Sequence, residues 1–179
     1  SKLKLFDMKK IYFALLLLGL VLTSCGGTEY TTDKDEALEL AQEILDEEKE
    51  AYKEYLDYAK EVKEKKDKIL KDYSGKESKL MKKAKKGDED ALSALKELRN
   101  LDINSEEKYE DMGKSLQKKQ RAFNFSISDI RALNDSDDLE DWEKDLAKIE
   151  KKRTEAREDY IEDYGELMKD DDDDEEEEY

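Results

Sequence analysis

The chain has 179 residues, 47% of them charged and 36% hydrophobic, with a formal net charge of −17. It contains no His and one Cys, which excludes the commonest general base and metal ligand as well as any intramolecular disulfide. With no Pro and only 7 Gly, helix breakers are nearly absent, and the composition points to long helices rather than to a Pro-enriched disordered chain.

Met8, Lys9 and Lys10 open a short basic stretch, followed by an apolar run over residues 11–22. A run of about a dozen residues matches the core of a secretory signal and falls short of the roughly 20 needed to span a bilayer. A buried helix is the alternative, and the adjoining Lys9-Lys10 pair speaks against it. The run closes on Leu22-Thr23-Ser24-Cys25.

That stretch resembles the lipobox of bacterial lipoproteins, in which a small residue precedes the cysteine that becomes lipidated. The resemblance implies a signal peptide over residues 1–24, with translation starting at Met8, and a lipid anchor and flexible linker over 25–32. It makes Cys25 the lipidation site, carrying a thioether-linked diacylglycerol and acyl chains such as palmitate. Anchoring strength then follows from chain number, at about 0.8 kcal/mol per buried CH₂, with two or more chains needed for stable attachment. In the enterobacterial sorting rule for such lipoproteins, an Asp after the cysteine retains the protein at the inner membrane. Gly26 stands there instead, so the expected location is the cell envelope, at the outer membrane or surface rather than the inner membrane.

From Thr32 the pattern is helical. Thr32 or Asp33 can cap the helix, with Asp35 and Glu36 in the first turn to complement the macrodipole. Leu38, Ala41, Leu45, Glu48, Tyr52, Tyr55, Ala59, Val62, Lys66, Ile69 and Tyr73 advance by threes and fours, a heptad seam interrupted at Glu48 and Lys66. Ala37, Ile44, Ala51 and Tyr58 widen the stripe, as a helix in a bundle requires. Ser74-Gly75 ends the run.

A second helix is expected from Ser78 to Asn100, interrupted at Gly87-Asp88. The stretch Ala84-Lys85-Lys86-Gly87-Asp88-Glu89-Asp90-Ala91-Leu92 resembles the turn and second-helix start of tetratricopeptide-like repeats. It occurs once, and arrays of that kind need about three copies, so a plain helical hairpin is expected. Asn104 and Glu107 form a capping box that starts a third helix, in which Tyr109, Met112, Leu116, Phe123, Ile127 and Ile130 keep helical spacing to Leu133. Phe123 to Ile127 also alternates with period two, the strand template, but a lone strand would have no partner. After a polar turn over 134–138, Asp137 and Glu140 start a fourth helix. Its seam is Leu139, Trp142, Leu146, Ile149, Arg153, Ala156, Tyr160 and Leu167, and it runs to Lys169.

The chain closes with nine consecutive acids over 170–178 and Tyr179. Such a run repels itself and buries nothing, which gives a solvated, disordered acidic tail. Without these nine acids the net charge of −17 falls to −8. The tail could hold divalent cations only weakly, at about millimolar affinity, because it lacks a preformed cage. Deleting residues 170–179 is expected to leave helix content and melting temperature unchanged while removing salt-sensitive binding to cationic proteins. Circular dichroism checks the first result, and a much lower melting point would mean that the tail packs on the bundle.

No thiol nucleophile remains once Cys25 is lipidated, and there is neither a phosphate loop nor a nucleophile elbow. Asp135-Ser136-Asp137-Asp138 lacks the Gly of a calcium loop and has Leu146 where its twelfth-position Glu belongs, so helix capping is its expected role. Tyr52, Tyr55 and Tyr58 could stack a ligand, but at seam positions they read as core with hydroxyls at the rim. The absence of a basic stripe speaks against a nucleic-acid partner.

The expected fold is therefore all-α: three or four long antiparallel helices in a bundle or coiled coil over 33–169. No catalytic, metal or cofactor site is expected, and no enzymatic activity. Partners are the membrane, through the anchor, and a protein not identified by sequence. Two roles fit: partner binding or spacing in the cell envelope, or chaperone-like cargo binding in the periplasm through a groove between helices.

Overall fold

A computed structural model describes residues 30–169. The signal stretch 1–24, Cys25 with the linker to residue 29, and the tail 170–179 lie outside the described residues. The architecture is an all-α helical bundle: α1 (Lys34–Leu70), a short 3₁₀ turn (Lys71–Tyr73), α2 (Glu77–Lys85), α3 (Glu89–Leu133) and α4 (Ser136–Lys169). There is no strand among the described residues, and none of these helices is long and apolar enough to cross a membrane.

The described residues form two compact units. The first comprises residues 30–53 and 112–169, hence the start of α1, the end of α3 and all of α4. The second is Glu54–Asp111, with the rest of α1, α2 and the start of α3.

Asp33 caps α1: its Oδ1 accepts from the backbone N–H groups of Asp35 (2.9 Å) and Glu36 (3.0 Å), two of the donors that a helix start leaves unpaired. At the other end the Gly75 N–H closes back on the Leu70 carbonyl (2.9 Å). Ser74 and Gly75 both adopt positive φ, 57° and 71°, which turns the chain out of the helix. Gly87 ends α2 in the same way with φ 83°. The Gly87 N–H donates to the Ala84 carbonyl, and Asp88 Oδ1 accepts from the Ala91 N–H to start α3. The nine residues that resemble a repeat turn are thus a glycine stop followed by an aspartate cap, joining two short-range helical neighbours.

The boundary expected at Asn104 does not exist. α3 runs unbroken through Asn104 and Glu107, and no capping box forms there. The reason is that neither Gly nor Pro occurs between Glu89 and Met112, and an Asn inside a helix costs well under about 1 kcal/mol relative to Ala. The buried side also continues across the expected break, through Leu98, Ser105 and Tyr109. Ser105 avoids an unpaired hydroxyl by donating to the Leu101 carbonyl at 2.8 Å. Phe123 to Ile127 is helical as well: Phe123, Ser126 and Ile127 are buried while Asn124 and Phe125 are exposed, a spacing of threes and fours rather than twos. The fourth helix starts at Ser136, so the polar turn is tighter than expected.

In the first unit, consecutive helices run antiparallel and α1 lies alongside α4 in the same direction. Glu47 pairs with Lys119 and Tyr30 with Asp129, while the Trp142 indole donates to the Lys34 carbonyl (2.9 Å) and Glu48 meets Arg153. Ala37, Ala41 and Ile44 of α1 pack with Phe123, Ile127 and Ile130 of α3 and with Leu139, Trp142 and Leu146 of α4. The second unit has its own core of Tyr73, Leu80, Ala84, Ala91 and Leu98, flanked by Leu70 and Leu95.

Candidate functional site

The two charged residues that interrupt the seam of α1 organise what lies around them. Glu48 is buried, and so is Arg153, the one charged residue in the seam of α4. The guanidinium forks onto the carboxylate, with Nε to Oε2 at 3.0 Å and Nη2 to Oε1 at 2.6 Å. Nη2 also donates to Gln120 Oε1 of α3 (2.6 Å), and Nη1 to Glu150 Oε1 one turn back on α4 (3.2 Å). One side chain therefore ties α1, α3 and α4 together. Burial is the largest single influence on Arg153 and draws its pKa down, but the hydrogen bonds and charge of Glu48, then those of Glu150, outweigh it and leave the pKa raised. The guanidinium stays charged, and its charge is matched.

Lys66, the second interruption, does the same in the second unit. Its Nζ lies 2.5 Å from Asp102 Oδ1, and Asp102 Oδ2 accepts from Arg99 Nη1 at 3.1 Å. Arg99 also pairs with Glu77. The chain Lys66–Asp102–Arg99–Glu77 links α1, α3 and α2. Glu77's hydrogen bond is the main reason the Arg99 pKa is raised. These groups are partly exposed, so solvent screens them far more than the Glu48–Arg153 pair.

The three tyrosines of α1 separate into different roles. Tyr52 stacks on Tyr160 with ring centroids 4.7 Å apart and planes 15° from parallel. Burial, and next the charge of Glu48, raise the pKa of Tyr52 against the opposing pull of Arg157 and Arg153. Tyr55 is buried edge-on against Tyr109, at 4.6 Å and 70°. Lys108 places its ammonium 5.3 Å from the Tyr58 ring, within cation–π range. None is left as a free stacking platform.

Asp135 to Asp138 forms the tight start of α4, with the Asp138 N–H on the Asp135 carbonyl and Lys34 Nζ on the Asp138 carbonyl. Among the described residues, no three His, Cys, Asp or Glu side chains surround a common metal position. A shallow groove of about 540 Å³ lies between α3 and α4 of the first unit. Phe123, Ile127 and Leu146 floor it; Asn124, Ser128, Arg131 and Glu150 stand at its rim. Cys25, the one site residue expected from sequence, lies outside the described residues. Gln120 had no sequence signal, whereas Glu48 interrupted the α1 seam and Arg153 held a seam position of α4.

Compared with known proteins, the chain matches no family model, no curated protein and no solved structure.

Proposed function

We propose that this protein is a lipid-anchored lipoprotein of the cell envelope whose helical domain binds a protein partner or acts as a spacer, without enzymatic activity. The observation that carries the reading is Leu22-Thr23-Ser24-Cys25 at the close of a signal-length apolar run behind Met8-Lys9-Lys10. The use made of the buried polar groups supports its second half. Both Glu48 oxygens accept from Arg153, which also donates to Gln120 and Glu150. That arrangement positions the helices of the first unit.

The α3–α4 groove favours a second reading, a periplasmic chaperone-like or cargo-binding role. Its floor consists of three apolar side chains, and no tyrosine lines it. A large apolar patch rimmed by polar groups is the usual mark of such a surface, so the anchored spacer or partner-binding role is preferred.

Cys25→Ala tests the anchor. The variant is expected to keep its signal uncleaved or to be misplaced, because no thiol remains to acylate, and any chain that does lose its signal is expected to leave the detergent phase on partitioning. A cleaved Cys25→Ala chain that still enters the detergent phase would refute the lipoprotein reading.

A further inference from the structure

Three large apolar side chains stand exposed on the first unit: Tyr30 (50% exposed), Phe125 (62%) and Leu133 (70%). They lie together. Phe125, Asp129 and Leu133 are four residues apart along α3, so they follow one another on one side of the helix at about 6 Å per step. Tyr30 reaches the middle of that row, its hydroxyl donating to Asp129 Oδ2 at 2.6 Å. The Thr31 N–H donates to Ser126 Oγ (2.9 Å), which straps the incoming chain to α3 at the same level. Ser126 is fully buried, so the strap has a fixed footing.

Tyr30 stands five positions after Cys25, with four residues between them. At no more than about 3.6 Å per residue, the α-carbon of Tyr30 cannot stand more than about 18 Å from that of Cys25. A lipid on Cys25 therefore holds this row within reach of the headgroup layer. Aromatic and aliphatic side chains in that position favour the interface, where a Tyr ring is buried and its hydroxyl stays wet.

We propose that Tyr30, Phe125 and Leu133 seat on the bilayer that holds the anchor, so that the first unit rests against the lipid through the outer side of α3. The inference rests on lipidation of Cys25. The contact is apolar in kind. Asp129 stands in the row itself, bonded to Tyr30, and Asp33, Asp35, Glu36, Asp137 and Asp138 lie at the starts of α1 and α4, so anionic lipid weakens the contact and zwitterionic lipid suits it. Tethering raises the local concentration of the bilayer enough for a few side chains to hold.

The test uses the mature lipidated chain, from Cys25 onward, on phosphatidylcholine vesicles. A photoreactive benzoylphenylalanine replaces Phe125, Leu133 or, as the control, Glu158. The control is exposed and lies about 30 Å along α4 from its start. Flotation with the vesicles reports the anchor separately from the contact. Floating chains that form lipid adducts at 125 and 133 but not at 158, with yields falling as phosphatidylglycerol is added, support the proposal. Floating chains with no lipid adduct at 125 and 133, or with equal yields at all three positions, overturn it and leave the anchor standing. Adducts at 125 to a second copy of the chain overturn it in favour of self-association. Failure to float removes the anchor and the proposal together.

Discussion

Arg153→Ala is expected to destabilise the first unit by about 3–5 kcal/mol, the usual loss when one member of a buried ion pair is removed. The loss comes less from the attraction forfeited than from what is left behind. Glu48 is 5% exposed, and without the guanidinium its carboxylate sits desolvated between helices with no matching charge. Gln120 and Glu150 lose their donor in the same step. Replacing both partners reverses the logic. Glu48→Leu with Arg153→Met removes the charges together, and such exchanges are often neutral or stabilising by about 1–4 kcal/mol. Trp142 is the only tryptophan of the chain and lies in the core of the first unit, so its fluorescence in a urea titration reads the two variants on that unit. A loss below about 1 kcal/mol for Arg153→Ala, the range of exposed pairs, would mean that the pair is solvated.

Leu146→Ala is expected to cost about 2–4 kcal/mol, as large-to-small changes in packed cores do. Leu146 packs with Phe123, Ile127 and Trp142 where three helices meet, and it also floors the α3–α4 groove. Truncation would open that floor rather than let it collapse, because the neighbouring backbones belong to helices held by their own hydrogen bonds. Leu45→Ala, at a position 1% exposed, is expected to fall in the same range. Leu133→Ala provides the contrast: at 70% exposure it is expected to stay within about 0.5 kcal/mol of the parent. Thermal melts followed by circular dichroism on the fragment 26–179 would rank the three. Equal, small effects at Leu146 and Leu133 would mean that the helices are not packed as a cooperative unit.

The helices were legible because the chain spells them twice, once in the absence of Pro and once in the steps of three and four. Leu38 to Tyr73 gave α1 and its stop at Ser74-Gly75, and Leu139 to Leu167 gave α4. Misplaced was the boundary at Asn104, where a local capping pattern competed with a buried side that continues through Leu98, Ser105 and Tyr109. The continuous packing wins, since an internal Asn is a small penalty against three helical turns of buried contacts. The Glu48–Arg153 pair was half legible. Glu48 stood out as an interruption of its seam and Arg153 stood unremarked among the seam positions of α4, and nothing along the sequence says that two residues 105 positions apart face each other. Gln120 was invisible for the same reason: its role is defined by the arginine it meets. The division at Lys53/Glu54 and Asp111/Met112 falls inside two unbroken helices, so no turn residue marks it.

The central claim is that Cys25 becomes the lipidated first residue of the mature protein. Mass spectrometry of the N-terminal tryptic peptide, from protein extracted out of its native membrane, tests it directly. The expected peptide is Cys-Gly-Gly-Thr-Glu-Tyr-Thr-Thr-Asp-Lys, residues 25–34, carrying a diacylglycerol on sulfur. A mature chain that begins elsewhere, with Cys25 inside it as a free thiol, would contradict the account.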